Sequence, residues 1–137
     1  MLTFNDYQKA TAETAIYKKS IKDYLEAFNY GCLIGDQITP YVIDEVAKVL
    51  SLQYCSLGLG EVGELQGKIK KVIRDSGGQI TDETRKALTK ELGDVLWYVS
   101  QTCSELGIDM GEVAQGNLDK LMSRKERGVL KGSGDDR

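Results

Sequence analysis

The amino-acid sequence predicts an all-α protein, a helical bundle of four to five helices. Apolar residues recur at steps of three and four over long stretches, proline occurs once in 137 residues, at Pro40, and β-branched residues never gather into alternating runs. At this length the chain holds one core, so 1–137 read as a single domain. Within it 1–38 are N-terminal helices and a variable segment, 39–127 the core helices, and 128–137 a Gly-rich tail.

Taken in order, Tyr7, Ala10, Thr14 and Tyr17 mark one face of a weakly amphipathic helix from Asn5 to Tyr17, capped by Thr3 or Asn5. A second short helix follows from Ser20 to Phe28, stopped by Asn29-Tyr30-Gly31 and a loop at 35–38. Thr39-Pro40 has the form of an N-cap with proline at the first helical position, where its missing N–H is harmless. The pattern then runs through Val42, Val46, Leu50 and Tyr54 to Ile69, Val72 and Ile73, ending at Ser76-Gly77-Gly78. Gly58, Gly60 and Gly63 each weaken that helix by up to about 1 kcal/mol relative to alanine, so a break or kink is expected between Ser56 and Gly60. Thr81 caps the next helix, whose stripe Leu88, Leu92, Val95, Val99, Cys103 and Leu106 should face the core until Gly107 stops it. Asp109 and Glu112 have capping-box spacing and open a last helix to about Arg127.

Composition excludes several functions. With no histidine, His-based acid–base catalysis, Ser-His-Asp triads and His-ligated zinc are out. Cys32, Cys55 and Cys103 are scattered and odd in number, which suits a reduced cytoplasm better than a disulfide framework or a zinc site. A net charge of −3 with dispersed Lys and Arg leaves no footprint for a nucleic-acid duplex. The amino terminus lacks the basic-then-apolar pattern of a signal peptide, and no uncharged apolar run is long enough for a membrane.

Chemistry therefore falls to carboxylates, lysine, arginine and tyrosine. Gly58-x-Gly60-x-x-Gly63 matches the dinucleotide-binding fingerprint in form only, since Glu61 and Glu64 would aim negative charge at the pyrophosphate. The acidic pairs are more informative. Glu61 and Glu64 share one helix face, as do Glu91 and Asp94, and the second pair flanks the apolar stripe. Carboxylates crowded near an interior repel one another unless a cation intervenes, and an all-oxygen set suits Mg²⁺ or Mn²⁺. The glycines between them read as spacers that let two acidic helices approach. Acidic pairs are also common on solvated faces; two pairs, both beside glycine and an apolar stripe, favour the metal.

Lys68 and Lys71 continue the Glu61/Glu64 face, either to meet phosphate or, for Lys68, simply to pair with Glu64. Tyr98 follows Asp94 by one turn, within reach of the cage or as a half-buried core tyrosine. Trp97 projects away from the stripe, which suggests a subunit interface first and base stacking second. Asn117, Lys120, Arg124 and Arg127 form one cationic face on the last helix, solvated by default and suited to phosphate beside an anionic cage.

Glu61-x-x-Glu64, 26 intervening residues and Glu91-x-x-Asp94, together with GLGEVGELQGKIKKVIRDSGG and the words around ELGDVLWYVS, resemble the MazG-like, all-α nucleoside triphosphate pyrophosphohydrolases. The resemblance covers roughly Leu57 to Asp135, with Phe4 to Tyr17 similar to the family's first helix. It implies hydrolysis of a (deoxy)nucleoside triphosphate to monophosphate and pyrophosphate, with Mg²⁺ on Glu61, Glu64, Glu91 and Asp94. It also implies a homodimer or homotetramer whose assembly completes the active site. Asn117, Lys120 and Arg124 match the family's N-x-x-K-L-x-x-R segment and would contact phosphate or sugar; Tyr98 matches a position facing the nucleotide. Without histidine the general base should be a carboxylate, and Glu61 is the choice. The segment 18–38 departs from the family pattern, leaving the base preference open. The alternatives are a dUTP- or phosphoribosyl-ATP-type substrate, or a non-catalytic helical oligomer.

Overall fold

The computed structural model of the protein describes residues 1–31 and 40–131. Among these residues the chain forms helices and no strand: α1 Phe4–Ala12, α2 Tyr17–Gly31, α3 Pro40–Gly58, α4 Glu61–Ser76, α5 Asp82–Leu106 and α6 Met110–Glu126. The expected all-α architecture is present. The helices number six because the long apolar pattern after Pro40 is interrupted where its glycines cluster. There Gly60 N–H donates to Leu57 O at 2.9 Å and Gly63 N–H to Gly60 O at 2.7 Å, tightening the helix into three-residue turns. The expected loop at 35–38, the Thr39 cap and the tail beyond residue 131 lie outside the described residues.

Of the two candidate caps for α1, Thr3 is used. Its hydroxyl accepts from Asp6 N–H at 3.1 Å and the Asp6 carboxylate accepts from Thr3 N–H at 3.0 Å, a reciprocal capping box. The helix stops at Ala12 rather than Tyr17. Thr11 and Thr14 hydroxyls donate back to Gln8 O at 3.1 Å and Thr11 O at 2.7 Å, the local competition that ends helices at such residues. Tyr17 thereby opens α2. The buried polar residue on this side is Thr11, bonded to Ser100 at 2.8 Å, while Ala10 and Thr14 are exposed.

α5 is the axis of the fold, with α1, α3 and α4 packed on it, α2 on α3 and α6 on α1. Its expected apolar stripe is only partly covered. Cys103 is buried and Leu88, Val95 and Val99 are half-buried, but Leu92 and Leu106 are exposed, while the polar Glu91, Ser100 and Gln101 are buried. Trp97 is not on a bare outer face. Its Nε1–H donates to Thr14 Oγ1 at 2.8 Å and its ring meets Tyr17 edge-on at 6.2 Å, fastening α5 to the α1–α2 turn.

The α5–α6 corner is held by α1. Met110 N–H donates to Gln8 Oε1 at 2.8 Å, Gly111 N–H to Asn5 Oδ1 at 2.9 Å and Glu112 N–H to Asp109 Oδ1 at 3.0 Å. Three of the amides that a helix start leaves without partners are thus satisfied, two of them by side chains of α1. Gln8 also donates from Nε2 to Ile108 O at 2.9 Å.

Of the glycines expected to act as spacers, only Gly58 meets another helix. A methyl group there would overlap the Tyr98 ring, whereas at Gly63 and Gly93 it would point into open space. Gly58→Ala should therefore push Tyr98 off α3 and destabilise the fold by about 1–3 kcal/mol, the usual range for an overpacked contact. Gly63→Ala should leave stability unchanged or raise it slightly. Urea denaturation of the two variants against wild type reads both outcomes.

Candidate functional site

The first acidic pair sits where the chain leaves the Gly58–Gly60 break. Glu61 is the first residue of α4 and Glu64 lies one turn later, both in the first turn, where the helix dipole favours negative charge. Glu91 comes from the middle of α5 and is buried, 7% exposed, because α5 turns that side towards α4. One carboxylate oxygen each from Glu61, Glu64 and Glu91 lies within 4.8 Å of the others.

Asp94 stands one turn beyond Glu91, outside that closest set but near enough for its charge to act on Glu61 and on the Tyr7 hydroxyl of α1. The Glu61 carboxyl is held above the usual carboxylate range, first by partial burial and then by the charges of Glu64, Asp94 and Glu91. This is the electrostatic signature of an acid cluster without enough positive charge.

Lys68 pairs with Glu91 rather than with Glu64, so its ammonium crosses to α5 instead of following its own helix. Lys71 is exposed and, with Lys68, Asp75 and Glu83, borders a depression of about 370 Å³ between α4 and the start of α5. Asn117 and Lys120 are exposed on α6 and Arg124 is buried, 6% exposed; that helix joins the bundle through α1.

Tyr98 lies over Gly58, at the break that precedes Glu61. Its hydroxyl is pushed above the ordinary tyrosine value by burial, then by its interaction with Tyr54 and by the nearby Glu61 carboxylate. Four rings meet here across three helices: Tyr17 stacks on Tyr54 at 4.8 Å, Tyr54 contacts Tyr98 at 6.3 Å and Trp97 meets Tyr98 edge-on at 4.9 Å. The sequence singled out Trp97 and Tyr98 but treated Tyr17 and Tyr54 as ordinary face residues. Their meeting joins α2, α3 and α5, and spacing along one helix carries no signal of it.

Oxygen donors alone, gathered from two helices and rich in negative charge, are the chemistry of a hard divalent cation. Oxygens sharing one Mg²⁺ stand at most about 4.2 Å apart, given bond lengths of 2.0–2.1 Å, so small side-chain rotations would bring this set onto an ion.

The model of the MazG nucleotide pyrophosphohydrolase domain matches residues 51–129, more than half of the chain. The chain belongs to the MazG family. The matched segment contains both acidic pairs, Lys68, Lys71, Tyr98 and the polar residues of α6. Gene 37 protein of Mycobacterium phage L5 is 53% identical over 87 residues, 63% of this chain and 76% of that relative. No solved structure matches. MazG membership makes nucleotide pyrophosphohydrolysis the activity to expect, in a family that generally uses divalent metals. The first fifty residues, with α1, α2 and Tyr17, lie outside the family match.

The raised Glu61 pKa fixes a sign. The folded protein holds that proton more tightly than the unfolded chain, so the ionised group destabilises the fold at neutral pH, and the penalty fades as pH falls through the raised value. In chelator, Glu61→Gln should therefore melt at higher temperature than wild type at pH 7, with the gap closing near pH 4.5. Thermal unfolding at the two pH values measures this.

Proposed function

We propose that the protein hydrolyses a (deoxy)nucleoside triphosphate to the monophosphate and pyrophosphate, acting on the nucleotide pool. The convergence of Glu61, Glu64 and Glu91 from α4 and α5, inside a MazG domain, is the observation that carries this reading. Mg²⁺, or Mn²⁺ in its place, would be held by these three residues and Asp94, and when bound would offset charge on the phosphates and the departing pyrophosphate.

The reaction needs a water to attack the α-phosphorus as the bond from that phosphorus to the pyrophosphate oxygen breaks. The water's proton goes to a carboxylate, since the chain has no histidine. Glu61 is assigned that role. It is half-exposed and therefore open to water. Lys68, now on Glu91, and Lys71 at the adjoining depression supply ammonium groups for the β- and γ-phosphates. Tyr98 would face the nucleotide, and Asn117, Lys120 and Arg124 would contact phosphate or sugar.

Assembly as a homodimer or homotetramer belongs to the same reading. Leu92 and Leu96 on α5 and Leu118 and Met122 on α6 are exposed, more apolar side chain than a monomer usually leaves in water. A second copy would cover such side chains and add helices around the acidic cluster. Light scattering should return two or four times the 15.2 kDa chain mass; a monomer at working concentration would overturn the assembly.

The activity is tested by pyrophosphate release across a panel of ribo- and deoxyribonucleotides, dUTP, phosphoribosyl-ATP and base-modified deoxynucleotides. Turnover should require Mg²⁺ and stop in chelator. Glu61→Gln and Glu91→Gln should each lower kcat by about a hundredfold or more. Undiminished turnover in both variants would sink the site, and silence across the panel would sink the activity.

A further inference from the structure

The aromatic contacts contain a feature that neither the family match nor the carboxylates account for. Tyr17 is buried, 6% exposed, and stacks nearly parallel on Tyr54, with 18° between planes and 4.8 Å between centroids. Tyr17 is itself fixed: its hydroxyl donates to Glu105, which Lys18 pairs with at 3.0 Å, and Trp97 abuts its edge. Tyr54 stacks on this rigid backing and yet remains 45% exposed, so much of its ring is still open to solvent. A large aromatic ring backed on one side by a fixed partner and still open to solvent has the form of a stacking platform.

Position says what it would stack. Tyr54 contacts Tyr98, and Tyr98 lies across Gly58, three residues before Glu61. Glu61 follows Tyr54 by seven residues, across the Gly58–Gly60 break. The ring of Tyr98 lies between the platform and that break, and the Glu61 charge acts on its hydroxyl. We propose that the open face of Tyr54 is the base-stacking subsite for the nucleotide whose phosphates meet Glu61, Glu64 and Glu91, a deepening that rests on the pyrophosphohydrolase reading above. Stacking reads the π-face that every base has, so this subsite accepts purines and pyrimidines alike and supplies affinity rather than base identity.

Binding is measured with a 2-aminopurine deoxynucleoside triphosphate whose α,β-bridging oxygen is replaced by methylene, so that no turnover occurs. Wild type should quench its fluorescence, Tyr54→Phe should retain the quench, and Tyr54→Ala should lose it and raise Kd about tenfold or more. Mn²⁺ binding, read by electron paramagnetic resonance, should be the same in all three, and circular dichroism checks that Tyr54→Ala is folded. Equal quenching and Kd in Tyr54→Ala would overturn the proposal. So would loss of oligomer in Tyr54→Ala with nucleotide affinity unchanged, which would assign the open face to a second copy. If wild type quenches the analogue but releases no pyrophosphate from any nucleotide, the activity fails while the platform stands. If pyrophosphate is released and Tyr54→Ala leaves KM unmoved, the platform fails alone.

Discussion

Burying Glu91 between α4 and α5 costs the fold the solvation of a charge, and the Lys68 ammonium offsets that cost from the opposite helix. Much else follows from that arrangement. The next residue of α5, Leu92, stands in solvent, so the middle of this helix buries a carboxylate while leaving an apolar neighbour uncovered. α4 meets Glu91 through Lys68, while its first turn, after the glycine break, brings Glu61 and Glu64 to the same seam against their mutual repulsion. At the α4–α5 seam Lys68 thus stands with a cluster of three carboxylates.

The acidic pairs were readable in the sequence because three-residue spacing on a helix is a local fact, fixed before any tertiary contact forms. The same locality made the glycine break and the Thr81 and Asp109 caps legible. Trp97 was misread for the converse reason. Its partner, Thr14, lies 83 residues away in a turn that replaced the end of an expected helix. Lys68 had an intrahelical partner at ideal spacing and chose a buried one across the interface. The stripe on α5 was apolar in pattern, but which side of a helix is covered depends on where its neighbours lie, and periodicity along one element does not contain that.

The glycine-rich segment shows how one motif can carry different demands at each residue. Gly58 admits an aromatic ring from α5, Gly60 belongs to the tightened turn, and Gly63 and Gly93 face open space. Tyr98 benefits twice: it packs where a side chain is missing and by doing so comes to lie beside the first carboxylate of α4. The site is therefore joined to the core through a contact of shape as well as through charge.

The stitching of α6 to α1 has a temporal consequence. Asn5 and Gln8 bond backbone amides 106 and 102 residues further along the chain, so the start of α6 is completed by side chains far from it in sequence. During synthesis α1 has no partner for these polar side chains until the α5–α6 corner has emerged, and closing so long a loop is slow compared with forming any single helix.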